Sequence, residues 1–117
     1  MSKVSFDDPI KPPEDKLNFK QSVVEVSKKI PYSKVTTYGT IATLAGWPRG
    51  ARIVGKILHD FREELPWHRV INRKGFISIK CADHPKKLQQ ALLEQEGIVV
   101  SKDFMIDLKK YYWQGSE

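Results

Sequence analysis

A mainly helical domain organised around a helix-turn-helix and completed by a small β-hairpin is the architecture that this 117-residue sequence predicts. Three observations carry the prediction. Apolar residues recur at three- and four-residue spacings in separate segments, the mark of helices with one buried face. Two of those segments are short and meet at the tight turn Trp47-Pro48-Arg49-Gly50. Runs of β-branched and aromatic residues flank Asn72-Arg73-Lys74-Gly75, whose Asn and Gly suit a hairpin turn.

Residues 1–15 are rich in proline and charge with little to bury, so they read as a flexible N-terminal tail, with the folded domain spanning 16–117. From about Glu14 to Ile30, Phe19, Val23, Val26 and Ile30 form one stripe, and Pro31 ends the helix. Thr36 or Thr37 caps a second helix containing Ile41, Ala42, Leu44 and Ala45, which stops at Gly46. The third covers ARIVGKILHDF, with Ile53, Ile57 and Leu58 inward and Arg52 and Lys56 free on other faces. Helices two and three make the helix-turn-helix, either a DNA-reading unit or a plain helical hairpin. HRVI and GFISI form the hairpin. A fourth helix then buries Leu88, Leu92 and Leu93 and ends at Gly97, and FMIDL is extended ahead of the aromatic end KKYYW.

Composition narrows the chemistry. Twenty Lys and Arg against fourteen Asp and Glu give a net charge of +6, which favours a polyanionic partner or simply a soluble surface. A single cysteine permits no internal disulfide and suits a reducing compartment. Three histidines and one cysteine, in no ligand-spaced pattern, argue against a metal. Neither a signal-peptide core nor a membrane-length apolar run is present, which points to an intracellular protein, cytoplasmic in a prokaryote and nuclear in a eukaryote.

Four motifs in order, IPYSKVTTYGTIATLAG, ARIVG, PWHRVINRKGFIS and LLEQEG, resemble the DNA-binding domain of the O6-alkylguanine-DNA alkyltransferases, whose pattern contains IPYGKVxTYGxIA, ARxVG, PCHRV and a late EG. The resemblance runs over roughly residues 19–113 and implies a winged helix-turn-helix DNA-binding domain. One departure is decisive for chemistry. Trp67 stands where the transferases carry the cysteine that accepts the alkyl group, as in the alkyltransferase-like proteins, which recognise the lesion without repairing it. A thiolate attacks carbon readily, whereas an indole nitrogen is only a hydrogen-bond donor.

The resemblance also assigns roles. Arg52 corresponds to the arginine finger that fills the stack vacated by the flipped base, and Tyr38 to the tyrosine that crowds the neighbouring phosphate. Gly50, Ala51 and Gly55 would let the recognition helix sit close in the minor groove. Trp67 would wall the lesion pocket, with His68 and Glu96, the former activating pair, now a hydrogen-bonded brace. Val70, Ser78 and Lys80 align with positions that face the flipped guanine, and Arg69 braces the fold. His59 to Leu65 replaces the family's asparagine hinge with a shorter loop, and Asn72 belongs to the hairpin turn.

The resulting expectation is a non-enzymatic, monomeric damage sensor that needs no cofactor. It binds double-stranded DNA containing O6-alkylguanine and passes it to nucleotide excision repair proteins. Two alternatives stand beside it: an active alkyltransferase using Cys81 as acceptor, and a helix-turn-helix transcription regulator.

Overall fold

A computed structural model describes residues 16–77 and 86–115. The expected tail, and with it Ser78, Lys80 and Cys81, lies outside the described residues. The elements follow in the order α1 (Lys16–Lys28), β1 (Thr36–Thr37), α2 (Tyr38–Leu44), α3 (Ala51–Asp60), a 3₁₀ turn (Trp67–Arg69), β2 (Val70–Ile71), α4 (Lys86–Gln95) and α5 (Leu108–Tyr111).

Local chemistry sets the helix ends. Thr37 is extended and its hydroxyl accepts the amide of Thr40 at 3.0 Å, so it caps α2. Gly46 and Gly97 follow α2 and α4 at φ +101° and +84°, a left-handed geometry that favours glycine. α3 packs Val54, Ile57 and Leu58 inward. Ile53 was expected among them but is 39% exposed, because it falls on the helix flank between Arg52 and the buried Val54. Lys56 is exposed but not free, since it pairs with Asp60 one turn on at 3.2 Å.

The hairpin expectation needs correction. Val70 and Ile71 pair in parallel with Thr36 and Thr37, and not with the segment after the turn. The turn itself is present: the Asn72 amide donates to the Phe76 carbonyl at 3.2 Å and the Gly75 amide to the Asn72 carbonyl at 2.9 Å. Phe76 then bridges to Met105 of the FMIDL segment. That segment ends in α5, a single helical turn whose cap is Asp107, so Leu108 is helical and not extended. In α4, Leu88 is 41% exposed and Leu92 only partly covered, while Gln89 joins Leu93 on the buried face.

Two hydrophobic clusters result. The first gathers α1, α2 and α3 through Phe19, Val23, Ile41, Val54 and Leu58, and includes Val70 and Trp113. The second collects Val35, Ile71, Ile77, Leu93, Ile98 and Ile106. Successive residues of β2 face opposite ways, so Val70 enters one cluster and Ile71 the other. The C-terminal segment locks onto β1: the Val35 amide donates to the Tyr111 carbonyl, and the Trp113 amide to the Val35 carbonyl at 2.7 Å. Gly50 is buried beneath Trp47, where a Cβ would come within 2.5 Å of the indole; interior packing accounts for that glycine.

Glu96 joins these parts. Its carboxylate accepts the Ser33 amide at 2.8 Å, His68 Nε2 at 2.7 Å, and the Nε and Nη2 of Arg69 at 3.0 and 2.8 Å. The other arm of Arg69 donates to the Ile30 carbonyl just beyond α1. Ser33 adopts φ +66° where the resembling family's pattern has glycine; its amide and hydroxyl both donate to Glu96, which offsets the left-handed geometry.

Burial pushes the Glu96 carboxyl upward, but hydrogen bonds from Arg69, His68 and Ser33 together with the Arg69 charge outweigh it and hold the group below its ordinary 4.5. A carboxyl depressed in the folded state stabilises fully above the unfolded value, and that stabilisation is lost as pH falls through the folded value. Glu96→Gln should therefore lower stability near neutrality by about 3 kcal/mol, by leaving Arg69 without its counter-charge. In urea titrations, parent and variant should converge as the pH drops below 4.5. A gap that stays constant into acid would show that the charge is not its source.

Candidate nucleic-acid interface

The helix-turn-helix presents its second helix outward. α3 begins after Gly50, which makes no side-chain cap. Arg52 is exposed at the second position of this helix, with Ala51 partly covered beside it and Arg49 exposed in the turn before. Side chains here are short or cationic, which suits close approach to a phosphate backbone.

Tyr38 follows the Thr37 cap and lies half-buried against the first cluster, level with Gly55 of α3. A Cβ on Gly55 would stand 3.8 Å from the Tyr38 ring, so the glycine keeps α2 and α3 close without being sterically compulsory. Burial raises the Tyr38 hydroxyl above its ordinary 10.0, which keeps it a neutral donor at physiological pH.

Trp67 opens the 3₁₀ turn and packs, partly buried, on the edge of the same cluster as Tyr38 and Phe61. Its ring meets His68 edge-on, with centroids 6.1 Å apart. The sequence left open the loop that leads to it, and the structure shows a hydrogen-bonded stack of turns. The Phe61 amide donates to Ile57, those of Glu64 and Leu65 to Phe61, and that of Trp67 to Leu65 at 2.8 Å. Leu65 is buried and Arg62 Nη1 donates to the His59 carbonyl, so the indole is held by a folded segment.

His68 and Glu96 form the expected contact, but Glu96 also takes Arg69, so its lone pairs are committed to a brace. Val70 is fully buried and both of its backbone groups are engaged, the amide with the Trp67 carbonyl and the carbonyl with a side-chain donor. Gln89, which sequence reasoning passed over, is the donor: its Nε2 reaches the Val70 carbonyl at 3.0 Å and the His68 carbonyl at 2.8 Å. At 1% exposure it fixes the backbone on both sides of Arg69. Its signal was present, since a polar residue four places before Leu93 lies on the buried stripe. Among the described residues no cluster of His, Cys, Asp and Glu could hold a metal ion.

Comparison with known proteins places this arrangement. The model of the 6-O-methylguanine DNA methyltransferase DNA-binding domain matches residues 18–98. The DNA base-flipping protein of Escherichia coli (strain K12) is 46% identical over 108 residues, covering 87% of this chain and 82% of its own. Alkyltransferase-like protein 1 of Schizosaccharomyces pombe is 36% identical over 102 residues, covering 82% and 94% respectively. In structure, S. pombe Atl1 in complex with damaged DNA containing O6-carboxymethylguanine superposes with a TM-score of 0.75 at 37% identity, over 81% of this chain and 94% of that one. Alike in sequence and in fold to these proteins, the chain belongs to the 6-O-methylguanine DNA methyltransferase family, on its alkyltransferase-like side.

Proposed function

We propose that this protein is a non-enzymatic sensor of O6-alkylguanine in duplex DNA. The single observation that carries the reading is Trp67: the brace of His68, Arg69 and Glu96 is intact around a residue that cannot accept an alkyl group. Relatives named for base flipping, and a relative crystallised with damaged DNA, support the same direction.

In this reading α3 enters the minor groove and Arg52 takes the place of the extruded base, while Tyr38 crowds the adjoining phosphate. Ala51 and Gly55 keep that face of the motif slim, while Gly50 serves the packing beneath Trp47. The flipped guanine rests against Trp67, near the Val70 backbone, with Ser78 and Lys80 completing the pocket. Insertion with unstacking bends the duplex. A protein that binds and does not repair acts through others, and nucleotide excision repair proteins are the partners that fit.

The direct test measures affinity for matched duplexes carrying guanine or O6-methylguanine at fixed salt, then the intact mass of the protein. Preference for the lesion with unchanged mass is expected. Gain of a methyl group would make this an active transferase, with Cys81 the first place to look for the acceptor, and equal binding to both duplexes would favour a regulator. Extruding a base costs a few kcal/mol, so loss of the filler in Arg52→Ala should weaken lesion binding by on the order of tenfold or more. Parental affinity in that variant would remove Arg52 from the role. Gln89→Leu leaves two carbonyls unpaired behind the pocket. It should lower the ratio of lesion to plain-duplex affinity while plain-duplex binding, which rests on contacts to the DNA backbone outside the lesion pocket, stays near parental; a uniform loss on both duplexes would assign Gln89 to general stability alone.

A further inference from the structure

A groove of about 590 Å³ lies beside the helix-turn-helix, between α2, the Asn72–Phe76 turn and the C-terminal segment. Thr43, Arg73, Tyr112 and Gln114 are among its lining residues, which include one cation and no acid. None of these four was singled out by the motifs.

Its position follows from strand direction. β1 and β2 are parallel with Thr37 opposite Ile71, so the chain leaves both at the same end, and Tyr38 and Asn72-Arg73 emerge side by side. Arg73 is presented on a fixed turn. The side-chain oxygen of Asn72 accepts the amides of Lys74 at 2.9 Å and Phe76 at 3.0 Å, and the Ile106 amide holds the Gly75 carbonyl at 2.8 Å. Arg73 is exposed and carries no ion pair among the described residues.

Opposite stands a chain of hydroxyls. Thr37 Oγ1 lies 2.8 Å from Thr40 Oγ1, which lies 2.5 Å from Tyr112 Oη. Thr37 is buried and already accepts the Thr40 amide. If the protons ran inward from Tyr112, the Thr37 proton would be left inside the fold. Running them outward, from Thr37 to Thr40 to Tyr112, uses every interior donor and leaves the exposed tyrosine hydroxyl as a polarised donor toward the groove.

We infer that this groove is a phosphate site for the DNA backbone, in which Arg73 supplies the charge and Tyr112 a neutral hydrogen bond, beside the nucleotide that Tyr38 engages. The inference rests on the reading of the chain as a DNA-binding protein. A contact of this kind fixes register and carries no sequence information. It also sets a defined electrostatic signature, because each neutralised phosphate adds about 0.9 to the slope of log affinity against log salt.

The experiment measures binding of parent, Arg73→Ala, Arg73→Lys and Tyr112→Phe to guanine and O6-methylguanine duplexes across a salt series. Arg73→Ala should lower the slope by about 0.9 and the affinity by roughly eightfold at 0.1 M salt, equally on both duplexes. Arg73→Lys should restore the slope, and Tyr112→Phe should weaken binding several-fold with the slope unchanged. Parental slope and affinity in Arg73→Ala would overturn the site, as would a loss confined to the lesion duplex, which would put Arg73 on the base. If the parent itself shows no preference for the lesion, the sensor reading fails, while the slopes on plain duplex still decide Arg73.

Discussion

The fold turns on one buried carboxylate. Glu96 is removed from water, and an isolated charge there would be strongly unfavourable; its stability depends on receiving donors from three residues at once. Those donors belong to the segment before β1 and to the 3₁₀ turn, and the second arm of Arg69 ties the group onward to the Ile30 carbonyl just beyond α1. The first and second clusters are joined besides by a sheet of two residues per strand and by the C-terminal segment that runs along Val35. Placing α4 at the Glu96 node therefore fixes where the Trp67 segment stands relative to the helix-turn-helix. The left-handed Ser33 is part of the same bargain, a local strain compensated by two bonds to a single residue.

From that frame the exposed surface follows. α2 and α3 rest on the first cluster, which leaves Arg52 outward, and Tyr38 and Trp67 both pack, partly buried, against that cluster. The hydrogen bonds of Gln89 and the stacked turns of residues 61–65 hold the backbone that carries the indole. In the proposed sensor a rigid aromatic ring would suit recognition by shape, since a flat ring contacts apolar substituents of different size without a specific polar partner.

Much of this was legible in the residues. The Phe19–Val23 stripe, the Thr37 cap and the stops at Gly46 and Gly97 each follow from local chemistry, and the structure keeps them. The parallel ladder was not legible, because two-residue strands show no alternation, and Thr36-Thr37 reads equally well as a cap. Ile53 and Leu88 were misplaced because apolar character does not say which side of a helix the rest of the molecule covers; Gln89 was missed for the converse reason. The site was legible only through motif resemblance, since nothing in the spacing of His68 and Glu96 announces a 2.7 Å contact across twenty-eight positions. Ser78, Lys80 and Cys81 stay as sequence assignments, outside the described residues.

The Glu96 node also bears on how such sequences diverge. In a nucleophilic enzyme, a histidine and a glutamate beside the reactive group are free to drift once the chemistry is abandoned, and their decay would record the loss. Here the same two residues hold the polypeptide together, a role in folding that does not depend on a nucleophile at position 67. The surrounding signature therefore reports ancestry and architecture, and the information about reactivity is concentrated in one side chain, Trp67.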